Sequence, residues 1–280
     1  AGAVDSLDQI TGFSVSSLGD AIDNITSGAT AALGDITVTG YTSDNLSTMV
    51  GKVTSGATSA LGNISMTGYS SDNLSSMVEK VTSGATSALG KIEMPGYDST
   101  KLTSMVEKVT AGATGALGKI VMDDYSASNL PDMVKKITAG ATGSLGKISM
   151  SGYDSTHLSD MVREVAAGAT EALGSITMTG YSVSDVGGLA TNISAGATGA
   201  LGKISMAGYD SSDLINMVTQ ITAGSIDALD RIGMEGIDKD DLKTKIKTGV
   251  SGSLSQISGM NTTGINVNAL DLERPTVTDV

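Results

Sequence analysis

A single histidine, His157, stands in the segment DSTHLSDMV, and the chain holds no cysteine. Without a second imidazole or any thiol, a His-based metal site repeated along the chain is excluded, as are Cys nucleophiles and disulfides. A lone Ser-His-Asp triad would need a supporting motif, and none surrounds His157. Elsewhere the equivalent position is Asn45, Asn73, Lys101 or Asn129, so His157 reads as a solvated residue beside a helix start. The Asp and Ser clusters YSSDNL, YDSSDL and IDKDDL supply the oxygens that calcium prefers. They lack the D-x-[DN]-x-[DN]-G order and closing Glu of a calcium loop. Helix capping accounts for them instead.

Methionine recurs in two series, Met49, Met77, Met105, Met133, Met161 and Met217, and Met66, Met94, Met122, Met150, Met178, Met206 and Met234. Thioether ladders suit Cu(I), but the first series lies on an apolar stripe, where Met is a flexible core filler. The tyrosines, Tyr41 to Tyr209, could form an exposed ladder for a ligand. Each is expected instead to close a linker over a helix end with its hydroxyl left in water. The glycines of GATGALGKI fail as a phosphate loop, because Ala113 stands where the first Gly belongs and Ile120 follows Lys119. No catalytic, cofactor-binding or metal residue is therefore expected, and no enzyme, since catalysis needs one asymmetric constellation of named roles.

The elements that carry these residues repeat. Tyr41, Tyr69, Tyr97, Tyr125, Tyr153, Tyr181 and Tyr209 are spaced by 28 residues. The units are 14–41, 42–69, 70–97, 98–125, 126–153, 154–181, 182–209, 210–237 and a degraded 238–265. Residues 1–13 resemble the second half of a unit, and 1–265 form one repeat domain. Residues 266–280 read as a C-terminal tail.

Within 70–97 the apolar positions are Leu74, Met77, Val78, Val81, Ala85, Ala88, Leu89 and Ile92. At about 100° per residue they fall within roughly 60° of one direction, the stripe of an amphipathic helix. Ser16, Asp44, Asp72, Thr100, Ser128, Thr156, Ser184, Ser212 and Asp240 are expected as N-caps. Gly84 and Ala88, repeated as Gly112/Ala116 and Gly168/Ala172, make small-x-x-x-small pairs that let two backbones approach. The spacing predicts one helix of about 20 residues per unit. With no alternation at twice the period, the helices stack as a two-layer all-α solenoid. An alternative ends the helix near Gly84 or Gly90 and makes KIEM a strand. Leu89, Ile92 and Met94 resemble the L-x-x-L-x-L of leucine-rich repeats. That resemblance implies a helix-plus-strand solenoid and ends at Tyr97, where the family carries Asn or Cys.

The formal charge is −13, with 17 Lys plus Arg against 30 Asp plus Glu, which opposes phosphate backbones and anionic lipid. No nucleic acid partner and no membrane span are expected. A start at Ala1 fits a processed secreted protein and a trimmed chain equally well, and a secreted or cell-surface location is the expectation. The near-identity of the units favours a structural or assembly protein that self-associates end to end, because an open half-unit accepting another subunit makes a filament. The alternative is a solenoid binding module for a protein or small ligand.

Overall fold

The first residue of each unit leaves the preceding turn in extended backbone, with φ near −149° at Ser70 and −148° at Asp154, and caps the helix that follows. Ser70 accepts from the backbone at Asn73, while its own N–H donates to the Asn73 side chain at 2.9 Å. This reciprocal capping box recurs at Ser14, Thr42, Ser126, Asp154 and Ser182. Asp98, Asp210 and Asp238 cap through a carboxylate oxygen. The residues expected as caps, from Ser16 to Asp240, therefore sit two places further in. The physical reason is the turn: it ends at the tyrosine, so the helix starts at the next residue able to accept.

The structure is a computed structural model that describes residues 2–10 and 13–270. Its helices are α1 (Gly2–Asp5), α2 (Val15–Ala31), α3 (Leu46–Ala60), α4 (Ser71–Ala88) and α5 (Leu102–Gly115). They continue with α6 (Leu130–Ser144), α7 (Leu158–Glu171), α8 (Val183–Gly199), α9 (Leu214–Ala228) and α10 (Lys239–Ser253). Each long helix ends in a tighter 3-10 turn, such as Leu89–Lys91 after α4, a common way to use up the last carbonyls. No strand forms among the described residues, so the helix-plus-strand alternative is corrected. Leu89 belongs to the 3-10 turn, Ile92 leaves it in extended backbone, and the chain turns at Gly96, whose φ of +79° favours glycine.

Each helix packs principally on the helix two places along the chain. This sorts α2, α4, α6, α8 and α10 into one layer and α3, α5, α7 and α9 into the other, a two-layer α-solenoid of single-helix repeats. Two apolar cores run between the layers. One joins Leu74, Val78 and Val81 of α4 to Ala113 and Leu117 of the second layer. The other joins Leu102, Val106 and Val109 of α5 to Ala141 and Leu145 of the first. Amino-terminal halves of one layer thus meet carboxy-terminal halves of the other, so the layers run in opposite directions and a short linker suffices to cross between them.

The waist between the cores is built from Thr, Gly and Ala. Thr82 turns its hydroxyl back to Val78 O (3.0 Å) and Glu79 O (3.1 Å) of its own helix, a local bond open to helical threonine. A Cβ placed on Gly140 of α6 would collide with the carbonyl oxygen of Glu79 and the hydroxyl of Thr82 on α4. The same meeting recurs at Gly112 with Gly51 and Thr54, and at Gly168 with Glu107 and Thr110. The small pairs therefore act within a layer, where only a missing side chain lets neighbouring helices come so close. The hydroxyls of Thr86, Thr114 and Thr142, four residues further on, are buried with no hydrogen-bond partner among the described residues.

After α10 the register continues for one turn. Asn266 caps Val267–Ala269 through Asn268 N at 3.1 Å. Val267 is buried in the second core and Leu270 packs beside it. Residues 271–280, the rest of the expected tail, lie outside the described residues.

Candidate functional site

His157 closes a capping box, accepting from Asp154 N at 3.3 Å, and its ring lies 5.7 Å from that of Tyr153. It is a helix-start residue, half-buried rather than freely solvated. The Asp-Ser clusters are caps. Hydrogen bonds from the Thr100, Thr156 and Ser212 hydroxyls hold Asp98, Asp154 and Asp210 below the ordinary carboxylate range. Among the described residues no group of His, Asp and Glu gathers as a metal site. The helical methionines Met105, Met133 and Met161 are buried in the cores, and the linker methionines Met94 and Met122 pack against them.

The tyrosines close their linkers over helix ends as expected, but the hydroxyls from Tyr69 to Tyr209 are not left in water. The Tyr69, Tyr97, Tyr125, Tyr153, Tyr181 and Tyr209 hydroxyls each donate to the carbonyl eight residues earlier, at Leu61, Leu89, Leu117, Leu145, Leu173 and Leu201. The distances run from 2.8 Å at Tyr97 to 3.3 Å at Tyr209. Each bond gives a helix-end carbonyl a donor from the linker, at Leu89, Leu117, Leu145, Leu173 and Leu201 in addition to the backbone N–H three residues on, and ties the linker down. Burial pushes these phenols well above their usual range. Eight-residue spacing from Leu to Tyr was the available signal, but nothing in residue type shows that the hydroxyl turns to that carbonyl rather than to water.

Two surfaces remain as candidates. The first is the outward side of α2. Ala21 and Ile25 are only half-buried there and Gly28, Ala29 and Ala32 are exposed. Their equivalents Met77, Val81, Gly84, Ala85 and Ala88 in α4 are all buried. A Cβ on Gly28 would meet nothing within 4 Å.

The second is a groove across the outer side of α4, α6 and α8. One part, of roughly 440 Å³, is lined by Lys135, Lys136, Lys203 and Asp132 over a floor of Ala139, Gly196 and Gly199. An adjoining part, of roughly 260 Å³, is lined by Glu79, Lys80, Ser83, Ser144, Lys147 and Lys203 over Gly140 and Gly143. Lys136 and Lys203 reach Glu79 at 2.7 and 3.3 Å. Burial alone would raise the Glu79 carboxyl, but the two ammonium groups outweigh it and hold it below its ordinary value. Lys135 and Lys147 make no ion pair among the described residues.

This groove escaped sequence reading because its lysines come from alternate units 56 residues apart, such as Lys147 and Lys203. Among the described residues, no helix is long and apolar enough to cross a membrane. No protein-family profile matches the chain, and neither does any curated protein sequence.

Proposed function

We propose that the chain is a non-catalytic structural or assembly repeat protein whose layers set length and which adds further copies end to end. The observation that carries this reading is the uncovered side of α2. Its Ala21, Ile25, Gly28, Ala29 and Ala32 repeat the positions that every interior helix uses to receive a neighbour. A second copy is the natural occupant, because the receiving surface is already written for a helix of this repeat.

Charge supports the pairing of unlike ends. Asp5, Asp8, Asp20, Asp23, Asp35 and Asp44 all precede Lys52, the first cation of the chain. At the other end α10 carries Lys239 and Lys243, paired to Asp230 and Asp240, together with Lys245 and Lys247, and a cleft on it is lined by Thr244, Lys247, Thr248 and Ser251. Unlike ends in contact give a heterologous interface that does not close, and such contacts propagate. Sedimentation velocity across a wide concentration range tests this. The expected result is a mass distribution that grows with concentration and shrinks in Ile25→Asp. Monomer at every concentration overturns the end-to-end assembly.

A further inference from the structure

On the second layer the arginines are matched locally, Arg163 pairing with Asp227 and donating to Gln220 at 2.9 Å and Arg231 meeting Glu171 at 2.7 Å, while Lys52 and Lys119 stand singly among the described residues. On the first layer, Lys80, Lys135, Lys136, Lys147 and Lys203 line the groove over α4, α6 and α8 against Glu79 and Asp132. Lys80 is paired to Asp20 at 2.9 Å and Lys136 and Lys203 to Glu79, which leaves Lys135 and Lys147 without an ion pair among the described residues. A concave site with an excess of one sign of charge concentrates its counter-ions even when the whole molecule carries the opposite sign.

The floor of the groove departs from the repeat in a matching way. Ser144 stands where other units carry Ala88, Ala116 or Ala200. It is buried, and its hydroxyl shares a hydrogen bond of 2.8 Å with Ser83 of α4 at the groove wall. Gly143 leaves room for the Lys203 stem, whose Cβ would lie 3.3 Å from a methyl placed there. Lys203 is thus seated across the junction of the two parts, with its ammonium held only by a partly exposed contact to Glu79. Exposed ion pairs of that kind contribute little and exchange readily.

We propose that this groove is a binding site for a small polyvalent oxyanion, such as an oligophosphate or a polycarboxylate. Lys147 and Lys135 supply uncommitted charge, Lys203 swings from Glu79 to the ligand, and the Ser83 hydroxyl offers a neutral donor beside them. Lysine suits this role because its ammonium is a point charge on a flexible stem, able to follow a ligand of unfixed geometry. The site is independent of end-to-end assembly, since it lies on the side of the stack.

Calorimetric titration of the intact chain at low ionic strength tests it, with tripolyphosphate and citrate as separate probes. Saturable binding at one site per chain is expected for at least one probe, and the pair of probes separates phosphate from carboxylate chemistry. The double variant Lys147→Gln, Lys203→Gln weakens that binding by about tenfold, the sum expected of two partly exposed charges. Glu79→Gln, which releases Lys136 and Lys203, tightens it. Lys119→Gln, the equivalent of Lys147 in the second layer, leaves it unchanged. Helical circular dichroism of each variant checks that the fold is retained. Absence of saturable binding by both probes overturns the proposal. So does an equal loss in Lys119→Gln, which would mean diffuse attraction to surface charge.

Discussion

Helices α2 and α6 are written in nearly the same phrase, yet they live in different surroundings. In α6, Gly140 is pressed against the Glu79 carbonyl and the Thr82 hydroxyl of α4. In α2, the corresponding Gly28 meets nothing. The same contrast holds for the tyrosines that close the units. Tyr125 donates to Leu117 O at 3.0 Å, whereas the buried Tyr41 hydroxyl has no partner among the described residues. One residue type at one repeat position is thus a packing requirement inside the stack and a liability at its first layer. Identity of sequence does not give identity of role, because each role is conferred by the helix two places away.

The largest expected effect separates the two glycines. Gly140→Val forces side-chain atoms into the α4 backbone and is expected to destabilise by about 3 kcal/mol, the range of severe overpacking. Gly28→Ala has open space and removes a poor helix former, so a gain of about 1 kcal/mol is expected. Urea unfolding of both variants checks the pair, and equal losses would break the comparison. A smaller effect separates the tyrosines. Tyr125→Phe removes one of two donors to the Leu117 carbonyl, the other being Ile120 N at 3.3 Å, and is expected to lose about 0.5 kcal/mol. Tyr41→Phe removes a hydroxyl that bonds nothing and should not destabilise at all. Thermal unfolding of the two phenylalanine variants is a sufficient measurement.

The smallest effect is a pH dependence. Asp98, Asp154 and Asp210 are held below the ordinary aspartate value of 3.8 by hydrogen bonds to their carboxylates. A carboxyl lowered on folding contributes stability that is complete above its unfolded value and lost as pH falls through its folded one. Acid below the ordinary aspartate value should therefore loosen the starts of α5, α7 and α9, whereas Ser14 and Thr42 cap α2 and α3 without titrating. Hydrogen exchange at mildly and strongly acidic pH would show the difference, and uniform loosening would remove it.

Much of the fold was legible in the chain. The stripe from Leu74 to Ile92 and the spacing of Gly84 and Ala88 specify an amphipathic helix with a close-packing face, because helical geometry is local and repeats every few residues. The caps were misplaced by two positions because Ser70 and Asp72 are equally good cap types. Only the backbone leaving Gly96-like turns decides between them. The tyrosine ring over the helix end was legible but its hydroxyl's partner was not, since the O–H can turn to a carbonyl or to water with the same sequence around it.

The sequence by itself determined the period, the helix in each period and the small residues that let helices touch, all consequences of short-range geometry. The tertiary structure decided which units become neighbours. By stacking each helix on the one two places along, it sends Lys80, Lys136, Lys147 and Lys203 to one outer side and the paired Arg163 and Arg231 to the other. That sorting depends on contacts between residues more than 50 positions apart, where the chain's local preferences have no say.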